Sequence, residues 1–237
     1  MRQTMKFGTL DISYDERVLR PRPWTEQQAH WAAQLLTDPA PAGPVLELCA
    51  GAGQIGLLTI SLQPRPLVCV DRSPMACGFA RSNAAAAGLG SLVDVREASL
   101  ESALAPGERF ALVIADPPWV PSDRTGAFPE DPLEAIDGGL DGLDVARACL
   151  RTAIPHLLPG AAVLLQLGAE DQAAALAEEF DELVVRETRR CEGGVLVHLT
   201  LPSPRSRPLE AGTATHDHLA PSRGSGGRPR DPAARPR

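Results

Sequence analysis

No apolar run in this 237-residue chain approaches the roughly 18 to 20 residues of a membrane span, and no signal-peptide core follows Met1-Arg2-Gln3-Thr4. The expectation is a cytoplasmic protein with no membrane partner. Five cysteines, an odd number without C-x-x-C spacing, offer neither a disulfide framework nor a zinc site. No metal is expected, and most of Cys49, Cys69, Cys77, Cys149 and Cys191 read as small buried apolar residues. Positive charge is scarce in the body. From Pro202 onward seven arginines face three acids, so the net charge of −7 leaves −11 on residues 1–201. An acidic body disfavours a large phosphate footprint, because nucleic-acid affinity rests on cation–phosphate contacts.

The segments form an alternating pattern. Residues 1–20 are a lead-in whose run Phe7 to Tyr14 suggests a strand or hairpin, residues 21–201 form one α/β domain, and residues 202–237 are a Pro/Arg-rich tail expected to be disordered. Thr25 is a candidate N-cap for a helix with Ala29, Ala32, Ala33, Leu35 and Leu36 on its apolar face. Strands are expected at 45–49, 67–70, 92–95, 110–114, 161–165, 183–186 and 194–199, with helices near 54–62, 74–88, 143–158 and 171–180. Arg81 and Asn83 read as surface positions on the Ala-rich helix at 74–88. Strand–helix alternation implies a mostly parallel, doubly wound sheet, and the last two strands, without a helix between them, imply a C-terminal antiparallel hairpin.

The turn Ala50-Gly51-Ala52-Gly53 lies between a strand and a helix, where glycine lets a ligand approach the backbone and helix N–H groups point at it. Asp71, ending the next strand, is placed to accept hydrogen bonds from ribose hydroxyls, which makes this a nucleoside-type pocket. Gly51-x-Gly53-x-x-Gly56 followed by Asp71 also satisfies a dinucleotide fingerprint. Against that stands Glu47, an acid before the turn that would repel a pyrophosphate and tolerate a sulfonium; the alternative is that it only caps the turn. Ser99 and Leu100 follow the third strand, where an adenine would be flanked.

Phe110-Ala111-Leu112-Val113-Ile114 reads as a buried strand, and Asp116-Pro117-Pro118-Trp119 ends it, because neither proline has an N–H to continue a ladder or a helix. That corner holds an acceptor-only carboxylate, a carbonyl and a flat aromatic face, a set that suits an –NH₂ group. The alternative is a plain proline-terminated strand with a packing tryptophan.

These motifs carry a resemblance. The chain resembles class I S-adenosylmethionine-dependent methyltransferases, and within them the HemK/PrmC family of protein-glutamine methyltransferases, through Pro21-Arg22-Pro23-Trp24-Thr25-Glu26, Leu46 to Gly53, Asp71, Asp116 to Trp119, Asp137 to Asp144 with Arg147, and Leu167-Gly168 with Gln172. The resemblance implies a seven-stranded Rossmann-like sheet, S-adenosyl-L-methionine as cofactor and N-methylation of a glutamine amide in a protein partner. It places Thr25, Glu47, Cys49, Ala50, Gly51, Gly53, Asp71, Arg72, Ser99 and Leu100 near the cofactor and Asp116, Pro117, Pro118 and Trp119 at the acceptor. This chain departs from the family pattern in several places: Asp116 for Asn, Trp119 for Tyr, Ser99 for Asp, Cys49 for Gly, and only some 20 residues where the family has an N-terminal helical domain that engages release factors. A release factor is therefore not implied as the substrate. An exocyclic base amine in nucleic acid is the second acceptor class, and a nucleoside-binding module without turnover is the third reading.

Overall fold

The computed structural model describes residues 1–37 and 40–202; the expected disordered tail lies, from residue 203 on, outside the described residues. A hairpin of β1 (Gln3–Phe7) and β2 (Leu10–Tyr14) precedes α1 (Glu26–Leu35). Strand β3 (Val45–Leu48), α2 (Gln54–Leu62), β4 (Leu67–Asp71), α3 (Pro74–Ala86), β5 (Val93–Glu97) and β6 (Phe110–Ala115) then alternate. The one-turn α4 (Leu133–Ile136), α5 (Asp144–Ala153), β7 (Leu157–Leu167), α6 (Glu170–Glu179), β8 (Val184–Cys191) and β9 (Gly194–Thr200) complete the chain. The sheet runs β5-β4-β3-β6-β7-β9-β8, parallel from β5 to β7, with β9 antiparallel to both neighbours. The doubly wound sheet and C-terminal hairpin are as expected. Among the described residues, no helix is long and apolar enough to cross a membrane.

Two apolar clusters, one on each face of the sheet, account for its burial. Every residue of β6 is buried, and from Leu112 to Ala115 its side chains alternate between the two clusters. Because the chain proceeds from β3 outward to β4 and β5 and then returns to β6 on the other side, the carboxyl ends of β3 and β6 flank the point where strand order reverses. In such sheets the ligand crevice opens there. The hairpin is not peripheral to this: Phe7 and Ile12 are fully buried in the cluster that also holds Leu57, Leu58 and Ile60 of α2.

Four local expectations need correction. Asn83 is buried, not on the surface: its side chain accepts from Ser13 N at 2.9 Å and donates to Ser13 O and Ala52 O at 3.0 and 2.9 Å, tying β2 to the glycine turn. The helix expected to reach residue 158 ends at Ala153, since Pro155 lacks the N–H that would continue it. Strand β7 begins at Leu157 and carries Pro159-Gly160 within it, where the pairing with β6 slips between Phe110 and Leu112. Thr25 precedes α1 but gives no side-chain cap; its hydroxyl donates back to Arg22 O at 2.8 Å.

Phe110, 1% exposed, anchors the second cluster. Phe110→Ala is expected to cost about 3–5 kcal/mol, read as a lower urea midpoint in equilibrium unfolding.

Candidate active site

The turn after β3 is built on backbone that few side chains accept. Gly51 and Gly53 have φ of 54° and 79°, and Cys49 has φ 57°, the one non-glycine left-handed residue among those described. Its thiol lies 3.8 Å from that of Cys149 on α5, and this contact, burial and the nearby acids Asp71 and Asp116 push the Cys49 thiol up, so it stays protonated. Gly51 presents an open face: an added Cβ there would meet only Gln54 Oε1, at 4.0 Å. That oxygen is buried and has no hydrogen-bond partner among the described residues. An orphaned acceptor beside an open glycine, at the first turn of a helix, fits a ligand that brings its own donor.

Asp71 closes the other side. Its Oδ2 accepts from Gly51 N and its Oδ1 from Ser73 N, both at 2.8 Å, which fixes the carboxylate at the end of β4 with lone pairs to spare. Burial raises its pKa in spite of those bonds. Glu47 lies under the turn instead of in it. At 2% exposure it accepts from Gly56 N at 2.9 Å and from the Cys69 thiol at 3.3 Å, the turn-capping geometry, and desolvation pushes it up to about 7. Gly56 is required by this packing, since a Cβ would lie 2.3 Å from Glu47 Oε2.

Ser99 Oγ pairs with Ser102 Oγ at 3.1 Å, and Leu100 packs on the second cluster while its carbonyl accepts from Thr152 at 3.2 Å. Arg72 reaches outward to the Glu134 carbonyl at 3.2 Å. Thr25 stands apart from the other residues expected at the cofactor: it lines a cavity of about 390 Å³ with Trp24, Asp116, Trp119, Phe128 and Glu192, beyond the end of β6.

Asp116 is the polar group of that cavity's floor. Its carboxyl makes no hydrogen bond within the described residues, and desolvation alone pushes it up to about 7. Trp119 is seated by small residues: a Cβ on Gly168 would come within 2.4 Å of its ring, and one on Gly142 within 2.3 Å of its carbonyl. Gln172 joins three segments by accepting from Gly168 N at 2.9 Å and donating to Trp119 O at 3.0 Å and Asp141 O at 3.2 Å. The Asp137-Gly138-Gly139 stretch folds against the same loop through Val120 N to Ile136 O and Gly138 N to Val120 O, at 3.0 and 2.9 Å. Arg147 fastens Asp141 to Glu179. The stretch Asp137 to Asp144, with Arg147, thus acts as scaffold for Trp119. On the opposite wall Arg22 is paired with the almost fully buried Asp131 and lies over the Trp24 ring, 5.6 Å from its centroid.

Residues 27–127 match the family described as the methyltransferase small domain. The ribosomal protein L11 methylase of Lactobacillus delbrueckii subsp. bulgaricus superposes with a TM-score of 0.58 at 13% identity, covering 78% of this chain and 81% of that one. The glycopeptide N-methyltransferase MtfA, complexed with S-adenosyl-L-methionine, does so with 0.52 at 17% identity, covering 76% and 94%. The chain has the class I methyltransferase fold. In sequence it is 36% identical over 181 residues to a release factor glutamine methyltransferase of Deinococcus radiodurans, covering 73% of this chain and 63% of the relative. It is 33% identical over 200 residues to a ribosomal protein uL3 glutamine methyltransferase of Bradyrhizobium diazoefficiens, covering 78% and 62%. The chain spans slightly less than two thirds of the length of these curated relatives.

The raised carboxyl pKa has a thermodynamic consequence. Asp116 holds its proton in the folded state up to about pH 7 and in the unfolded chain only up to its ordinary value near 4. Its contribution to stability is therefore complete at low pH and lost as pH rises towards 7. Between pH 5 and 8 the urea midpoint of Asp116→Asn is expected to fall less than that of the wild type, the difference isolating this group.

Proposed function

We propose that this protein transfers the methyl group of S-adenosyl-L-methionine to a planar nitrogen, the side-chain amide of a glutamine in a protein substrate. The observation that carries the reading is the end of β6: an Asp116 carboxyl with no partner among the described residues, the adjacent Pro117 and the seated Trp119 ring, all lining one cavity. Similarity to glutamine methyltransferases supports the acceptor class, and the release factor and uL3 named for the relatives are the first proteins to test. Asp71 and Gly51 would hold the ribose side of the cofactor, Gln54 its amino-acid end, and Ser99 with Leu100 the base. The bound cofactor supplies an electrophilic methyl on a sulfonium.

An amide nitrogen is a weak nucleophile because its lone pair is delocalised into the carbonyl. Asp116 and the Pro117 carbonyl would accept its two hydrogens, which would orient the nitrogen lone pair and offset the positive charge that develops on it. Trp119 stacks on the amide plane and fixes the approach. After transfer the nitrogen's proton passes to the Asp116 carboxylate and then to solvent. The walls suit this acceptor more than a phosphate-bearing one: Asp131 and Glu192 are acidic, and Arg22 is already engaged by Asp131.

Protein extract supplied with methyl-labelled cofactor is expected to carry label that protease removes and nuclease does not, on glutamine. Label lost to nuclease would overturn the acceptor class. Asp116→Ala is expected to lower turnover roughly 10²- to 10⁴-fold with cofactor affinity nearly intact by calorimetry, whereas Asp71→Ala should weaken cofactor binding at least about tenfold through the ribose contacts it removes. Ionised Asp116 is the active form, so kcat/KM for the cofactor should rise through about pH 7 and level off above it. In the complex the sulfonium favours the carboxylate, which moves the midpoint of kcat lower. Asp116→Asn should show no rise through this range.

A further inference from the structure

Gln28 is a residue of α1 whose polarity has no role in the helix itself. It lies on the helix face turned to the sheet, and its side chain is fully buried among apolar neighbours such as Ala29 and Ala32. Its amide nitrogen donates to two main-chain carbonyls on adjacent strands, Ala115 O at 3.0 Å on β6 and Leu164 O at 3.2 Å on β7. Its amide oxygen has no partner among the described residues. A buried, half-satisfied amide is a net cost to folding when an aliphatic side chain of the same size would fill the space. The place of its two bonds explains why a glutamine is nevertheless useful there. Ala115 is the last residue of β6 and is bonded directly to Asp116, and the two prolines beyond give the strand no further N–H with which to anchor itself.

We propose that Gln28 is a positioning residue for methyl transfer: by bridging the Ala115 and Leu164 carbonyls it locks the peptide plane from which Asp116 and Pro117 project towards the acceptor. The assignment rests on the acceptor role proposed for Asp116 and Pro117. Gln28 touches neither substrate nor cofactor. Its effect is on geometry, where a displacement of about 1 Å in an aligned displacement reaction costs on the order of 100-fold in rate.

Gln28→Met keeps the volume and removes both donors, and Gln28→Leu serves as the second variant. In the full chain, Tm should change little, because removal of the orphaned oxygen offsets the donor that the Ala115 and Leu164 carbonyls each lose. Turnover should fall roughly 10- to 100-fold, with the KM for acceptor and the dissociation constant of the cofactor within about twofold of wild type. Amide hydrogen exchange at Asp116, Trp119 and Val120 should quicken, while exchange in β3 and β4 stays unchanged. A purely structural role gives the opposite split, a lower Tm with normal turnover per folded molecule, and overturns the assignment. Unchanged exchange at those three amides overturns it as well. Exchange is read without any acceptor, so it still decides the role of Gln28 if the wild-type protein fails to methylate glutamine.

Discussion

The structure depends on a strand that is stopped in the middle of a sheet. β6 is buried on both faces between β3 and β7, so its backbone polar groups have no access to water and must be paired or face a ligand. Proline at 117 and 118 ends the ladder abruptly. A carboxyl with no partner among the described residues, a carbonyl and an indole then lie at the crevice where strand order reverses. A solvent-exposed strand end with the same four residues would be hydrated and would give its acceptors no reason to favour an incoming –NH₂ group.

Electrostatics in the crevice point the same way. Burial raises the pKa of Glu47, Asp71 and Asp116 together, so the protein holds three carboxyls where none is comfortable ionised. A nearby cation, the charge that a sulfonium cofactor carries, favours their ionised forms. Glu47 contributes from beneath the turn through Gly56 N, and its bonds to the turn's helix are spent on shape. The Cys149 contact and burial, with a smaller push from Asp71 and Asp116, keep the Cys49 thiol protonated, so the left-handed residue at the turn is chemically quiet with a second thiol 3.8 Å away.

How much of this was legible in the residues depends on whether a side chain's role is local. The glycine turn, Asp71 and the Asp-Pro-Pro-Trp corner were readable because backbone conformation and chain termination are set by neighbouring residues. The hairpin β8–β9 was readable from two strands with no helix between them, yet β8 runs to Cys191 because backbone pairing with β9 holds this edge strand while its side chains from Arg186 to Arg190 stay exposed. Gln28, Asn83 and the Arg22–Asp131 pair were not legible, since each is a polar residue whose partners lie on other elements, and Gln54 was not because its buried oxygen has no partner among the described residues. Asn83 sits in an alanine-rich helix and Gln28 in a Glu-Gln-Gln start, patterns that read as solvent-facing until the hairpin and the strand ends are packed against them. The motif assigns Thr25 to the cofactor, and the fold sets it in the wall of the cavity that Asp116 also lines.

The most direct test of the central claim is a crystal structure of the protein with demethylated cofactor and a glutamine-bearing peptide. The account predicts the glutamine amide nitrogen about 3 Å from both the Asp116 carboxyl and the Pro117 carbonyl, with the Trp119 ring over the amide plane and the cofactor sulfur in line behind it. An amide bound elsewhere, with Asp116 hydrated and Trp119 turned from the cavity, would contradict it.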